Sequence, residues 1–148
     1  MLLSTNSLRF LLPLLLLLGC TQQQSVPPVS PIPTFLIGNF EDDYDVHYSI
    51  TDSTFSMEDH TLIHVLDWNV ENQFFIGQND TSNIYDPLLY SRIDWMIFEN
   101  MGAYEWGFCM STYNAATLDS AYSASANRAQ PKTGCNGYPF SRMKAAQP

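Results

Sequence analysis

Apolar and polar residues alternate with a period of two over much of the stretch from Asp43 to Met110, the signature of strands with one buried face. Tyr44, Val46, Tyr48 and Ile50 fall on one side of the first run, with Asp43, Asp45, His47 and Ser49 on the other. A second run, Leu62, His64, Leu66 and Trp68, meets Phe74, Ile76 and Gln78 across the polar stretch Asn69-Val70-Glu71-Asn72, as in a hairpin. Asn79 to Asn83 breaks the pattern, Pro87 ends the break, and Leu88 to Phe98 reads as one long strand. After a turn at Glu99-Asn100-Met101-Gly102, Tyr104, Trp106, Phe108 and Met110 share a face and leave Cys109 on the other. Thr117 is placed to cap a helix running to about Asn127, with Asp119 favourable to its dipole and Leu118, Ala121, Tyr122 and Ala124 as packing residues. From Pro131 the tail turns through Gly134 and Gly137. The expectation is a mainly β domain: five or six antiparallel strands in a small barrel or sandwich, one short C-terminal helix and a disulfide-tied tail.

The first 33 residues follow another pattern. Arg9 precedes the apolar run Phe10 to Leu18, interrupted by Pro13. This run has the length of a secretory h-region and falls short of the roughly 20 residues that span a bilayer. It closes on Leu17-Leu18-Gly19-Cys20, which resembles the lipobox of bacterial lipoproteins. The resemblance implies cleavage after Gly19 and lipidation of Cys20, with palmitate among the acyl chains. It also implies attachment to the cell envelope through lipid. Thr21 stands where Asp would signal inner-membrane retention in that family, so the outer membrane is implied, with the leaflet open. The alternative is an ordinary secretory signal whose cysteine is incidental. Residues 20–33 hold four prolines and three consecutive glutamines, the composition of a tether. The globular domain is expected over residues 34–148.

Charge narrows the partners. Without the signal segment, five Lys and Arg stand against 15 acids, a net charge near −10. Fourteen of the acids lie from Glu41 to Glu105, where Arg92 is the one base, whereas Arg128, Lys132, Arg142 and Lys144 follow in a stretch without acids. A field of this sign repels nucleic acid and anionic head groups. With Cys20 assigned to lipid, Cys109 and Cys135 remain, and an oxidising compartment makes them a disulfide. A reactive-thiol pair lacks both a Cys-x-x-Cys spacing and a nearby His.

Gly38-Asn39-Phe40 before the first alternating run resembles the Gly-x-Trp entry of lipocalins, with Phe in place of Trp. A bridge from a late strand to the C-terminal tail is similar to that family too. The likeness implies an antiparallel barrel holding a small apolar ligand, although the domain is short for eight strands. The segments Tyr90–Trp95, Trp106–Cys109 and Gly134–Met143 look like signatures of a lipoprotein family with no activity attached.

Candidate chemistry is sparse. No Gly-x-Ser-x-Gly, Walker loop or His-Glu-x-x-His occurs, so no catalytic residue and no cofactor are implied. His60 and His64 have metal-ligand spacing only on a helix, and on a strand they stand roughly 13 Å apart. Glu41, Asp42, Asp43 and Asp45, with Asp80 and Asp86, could offer oxygens to calcium, but the spaced Asp-x-Asp-x-Asp-Gly loop is missing and a solvated strand entry accounts for the cluster. Tyr90, Arg92 and Asp94 share one strand face. Turned inward, they would place a charged pair inside a barrel as a ligand-binding site. Turned outward, they form a surface pair worth under about 1 kcal/mol, and the more apolar opposite face (Leu89, Ile93, Trp95, Ile97) favours this. The leading expectation is a non-enzymatic envelope lipoprotein that binds a small apolar or amphipathic ligand. The alternative is a module that binds or inhibits a basic envelope protein.

Overall fold

In a computed structural model, residues 31–147 are described. The signal segment, Cys20 and the tether up to Ser30 lie outside them.

Eight antiparallel strands follow one another in chain order and close into a barrel: β1 Gly38–Asp42, β2 His47–Ile50, β3 Thr54–Met57, β4 Thr61–Asn69, β5 Phe74–Asn79, β6 Tyr90–Ile97, β7 Trp106–Ala115 and β8 Ser141–Ala145. The barrel closes where β8 pairs with both β1 (Asp42 opposite Met143) and β7 (Trp106 opposite Met143). One α-helix, α1 (Leu118–Ser123), interrupts the β7–β8 connection, and Thr117 caps it in a reciprocal bond pair with Ser120. The barrel is thus the form adopted, with two or three more strands than the alternation indicates.

The additional strands are β1, β3 and β8. β1 contains Gly38-Asn39-Phe40, so these residues are part of the barrel wall. β3 has four residues and one fully buried side chain, Phe55, too short for its period to stand out. β8 buries only Met143 completely, and its neighbours Arg142 and Lys144 disguise it as a basic tail. Tyr44 is 72% exposed at the tip of the β1–β2 turn and shares no strand face with Tyr48 and Ile50.

The inward face of β4 also differs from the simple alternation. Ile63 and Val65 point inward in the first half, opposite Asn79 and Gly77 of β5. A bulge between Val65 and Asp67 then shifts the phase by one, so that Trp68 also faces inward, against Phe75. Leu66 is left outside and half exposed.

An eight-stranded barrel has an interior just wide enough for side chains to fill, and here they fill it. Phe40, Tyr48, Ile50, Phe55, Ile63, Phe75, Ile93, Trp95, Trp106, Phe108 and Met143 are all buried and form one cluster. The 3-10 turn Thr34–Leu36 inserts Leu36 at one end. The rings meet edge-on or tilted, as for Phe40 on Trp106 at 5.2 Å and Tyr48 on Phe108 at 5.4 Å. The void left among Leu36, Phe55, Trp95 and Trp106 measures about 10 Å3.

Two glycines let strands and loops approach closely. A Cβ on Gly77 would lie 2.3 Å from Ile63 Cγ2 and 2.8 Å from the His64 carbonyl oxygen; one on Gly107 would lie 2.6 Å from both the Phe98 ring and the Ser141 carbonyl. Gly77→Ala is therefore expected to lower stability by about 1–3 kcal/mol through overpacking, measured by urea unfolding. An unchanged midpoint would contradict this packing.

Candidate functional site

Tyr90, Arg92 and Asp94 do point away from the lumen, yet they are not on the surface. Arg92 is 7% exposed and Asp94 0%. The outer face of β5–β7 is covered by α1 and the chain after it, making a second apolar cluster of Phe74, Ile76, Ala115 and Ala121 with Tyr90 against it. The outward alternative thus needs correction: the pair is buried beneath a flap of the same chain. Helix α1 ends at Ser123 rather than near Asn127, and of its side chains only Ala121 is buried.

Asp94 is the hub of that flap. Its carboxylate takes two parallel bonds from Arg92 (Nε and Nη2, both 2.9 Å), one from Arg128 Nη2 at 2.7 Å and one from the Ser111 hydroxyl. Arg92 also donates to the Tyr122 carbonyl at 2.8 Å and lies 3.8 Å above the Phe74 ring. Arg128 bonds to the carbonyls of Trp95 and Gln73 as well. Cys109, directly opposite Asp94 in the β6–β7 register, is bonded to Cys135 with a Cα separation of 5.4 Å. That closure contributes about 3 kcal/mol in the chain-entropy account. Arg92 and Asp94 together tie β6 to the flap through Tyr122 and Arg128, and neither Arg92 nor Asp94 reaches the lumen.

The acidic cluster is likewise committed to structure. Asp42 lies inside the barrel, not at a solvated strand entry: Oδ1 accepts from the amides of Tyr44 and Val46, shaping the β1–β2 turn, and Oδ2 accepts from the Tyr48 hydroxyl at 2.9 Å. Burial, then the Asp42 bond, pushes the Tyr48 hydroxyl above its ordinary pKa. Asp43 pairs with Arg142 (Nε at 3.0 Å) and Glu41 with Lys144 at 3.0 Å. His64 lies on the exposed outer face of β4 and bonds Asp80 at 2.6 Å, apart from His60. Among the described residues, no group of three or more His, Cys, Asp or Glu is placed to hold a metal ion.

Among the described residues, three of the concave surfaces exceed about 300 Å3. A groove of about 710 Å3 runs along the outer flank between Phe98, Met101, Tyr138 and Arg142, and one of about 510 Å3 lies beside Phe35, Trp106 and Lys144. The third, about 380 Å3, is the barrel mouth opposite the Leu36 end. It is lined by Met57, His60 and Thr61 from the β3–β4 hairpin, Met110 and Tyr113 from β7, and Tyr85 and Asp86 from the β5–β6 loop, with Asn79, Ser91 and Asn83 as polar walls.

The mouth loop, residues 80–89, is braced at several points. The Asn83 side chain pairs with both the amide and carbonyl of Leu62 at 2.9 Å, imitating a strand partner. The buried Asn79 amide donates to the carbonyls of Asp86 and Tyr113, both at 2.8 Å, and receives the Ser91 hydroxyl at 2.6 Å. One side chain therefore fixes Tyr85-Asp86 relative to Tyr113. Asp86 and Leu88 have left-handed backbone (φ 52° and 64°), a strained state for leucine that the surrounding bonds enforce. Ile84, Tyr85 and Leu88 nevertheless stand exposed, Tyr85 by 81%. Alternation had marked this segment only as a break; its function as a brace depends on Asn79 and Asn83 bonding across the fold, which no local pattern reports.

The chain matches no family model, no curated protein and no solved structure.

Two outcomes follow. Asp94→Asn leaves Arg92 buried with its charge uncompensated and is expected to cost about 3–5 kcal/mol in urea unfolding; a loss under about 1 kcal/mol would contradict the hub. The Asp80 carboxyl is held well below its ordinary 3.8 by the Ser82 hydroxyl first and His64 next. A depressed folded value means that the brace is complete above the ordinary value and is lost as pH falls through the folded one. As pH falls from about 4 toward the folded value, hydrogen-exchange protection at Ser82, whose amide donates to Asp80, is expected to decline; constant protection would count against the brace.

Proposed function

We propose that this chain is a non-enzymatic binding protein of the bacterial envelope, lipid-anchored at Cys20 to the outer membrane, whose site for a small amphipathic ligand is the barrel mouth. The carrying observation is the combination found there: a cavity of about 380 Å3 lined by Met57, Met110, Tyr85 and Tyr113 together with the polar side chains of His60, Thr61 and Asp86, on a rim braced by Asn79 and Ser91. Small-molecule sites share this composition, a mostly apolar wall with a few fixed polar groups, and begin near 300 Å3. The lumen, where the void among Leu36, Phe55, Trp95 and Trp106 is only about 10 Å3, is not the place for the ligand. The proposed site therefore lies at the rim, and Arg92 and Asp94 have no part in it. The flank groove is larger, but the Tyr44 and Tyr138 side chains that line it are exposed, and its Asp43 and Arg142 are paired with each other.

A second reading, a basic protein partner, is favoured by Ile84, Tyr85 and Leu88 standing exposed on a braced loop of an acidic domain. Rigid display of apolar side chains suits protein docking, and opposite charge speeds encounter.

The test is titration with the neutral fluorescent amphiphile N-phenyl-1-naphthylamine. Saturable one-to-one binding is expected, weakened about tenfold by Tyr85→Ala or Met110→Ala, as loss of an apolar contact of this size implies. The lumen variant Ile50→Val should leave it unchanged. Binding that follows Ile50→Val and ignores Tyr85→Ala would reject the mouth. Binding of a basic protein that collapses between low and physiological salt, with no probe binding, would establish the second reading.

A further inference from the structure

Four of the five Lys and Arg side chains in the described residues are consumed in ion pairs: Arg92 and Arg128 with Asp94, Arg142 with Asp43, and Lys144 with Glu41. The fifth, Lys132, lines the flank groove. None lines the mouth, where His60 is the one basic side chain. The Asp86 carboxylate at that mouth is half-buried and takes part in no ion pair or side-chain hydrogen bond among the described residues, unlike Asp42, Asp43, Asp80 and Asp94. Two phenol side chains, Tyr85 and Tyr113, line the same mouth, and the Asn79 amide ties the Asp86 carbonyl to that of Tyr113. Met57 and Met110 supply soft, polarizable walls.

An unpaired carboxylate at a mouth lined by aromatic side chains, with no Lys or Arg in its wall, is a receptor for positive charge. Aromatic faces attract ammonium groups through their quadrupole, more strongly as the group is desolvated. The apolar wall suits a short hydrocarbon stem. We propose that the mouth binds an alkylammonium group: a primary or quaternary ammonium on an apolar chain, seated between Tyr85 and Tyr113 with Asp86 as its counter-charge. This rests on the mouth as the binding site and names the chemical class that it selects. The negative field of the domain adds long-range attraction for the same sign of charge.

The experiment is a set of NMR titrations of the domain at low salt with hexylammonium, hexanol and hexanoate, which share one stem and differ in charge. Hexylammonium is expected to bind about tenfold more tightly than hexanol, the sum of a cation–π contact and a partly exposed ion pair, with hexanoate weakest. Asp86→Asn, which keeps the side-chain shape and tolerates the left-handed backbone, should bring hexylammonium down to the level of hexanol and leave hexanol unchanged. Equal binding of all three at the mouth, or equal loss of all three in Asp86→Asn, would overturn the ammonium preference while leaving the mouth as the site. No shift at Asn79, Tyr85 or Tyr113 with any of them would overturn both. Nα-acetyl-lysine methylamide separates the sources of the group. Binding equal to hexylammonium assigns the group to a lysine side chain of a protein, and weaker binding assigns it to a free amine.

Discussion

The filled interior is the constraint from which the other features follow. Eight strands enclose a lumen whose width matches one layer of side chains from each wall, and this sequence places aromatic residues at most inward positions. Phe55, fully buried, touches rings from two other strands, Phe75 and Phe108, as well as Tyr48. Once the centre is solid, a ligand site must be built from what lies outside it: end loops, flanks and the covering flap. Leu36 seals one end from a 3-10 turn, which leaves the opposite mouth as the end with both concavity and fixed polar groups.

The flap shows how a short chain makes a barrel of this kind hold together. The β7–β8 connection runs from Ala116 to Phe140 and carries only one short helix. Asp94 fastens it through Arg92 and Arg128, and the Cys109–Cys135 bond clips it from the position directly opposite on β7. Buried ion pairs add little net stability when complete, but removing one partner is costly. Their contribution here is to fix where the connection lies, and that in turn brings Ser141–Ala145 back to close the barrel between β7 and β1.

The sequence made parts of this legible and hid others for physical reasons. The β4–β5 hairpin, the face shared by Trp106 and Phe108, the outward Cys109 and the Thr117 cap were all readable because each follows from local periodicity or local bonding. β3 and β8 were not, since four- and five-residue strands with a single fully buried side chain give too little period to detect. The bulge at Val65 inverted the inward face of β4 without changing a residue type. Tyr90, Arg92 and Asp94 were recognised as a unit, but whether their face was lumen, surface or covered surface depended on a flap some thirty residues later. Asp86 and Tyr113, at the proposed site, come together only through Asn79, and nothing in their immediate neighbours announces it.

The proposed lipid anchor, together with an acidic domain and a braced mouth, would suit collecting a small ligand or partner at a membrane surface, with the lumen serving as structural core. The most direct test of that division is native mass spectrometry of the domain secreted into an oxidising periplasm and dialysed before measurement. The account predicts a mass two hydrogens below the reduced chain, from the Cys109–Cys135 bond, with nothing retained. A ligand of a few hundred daltons that survives dialysis, leaves only on denaturation and is retained equally by Tyr85→Ala would contradict it, because a solid lumen has no room to bury one.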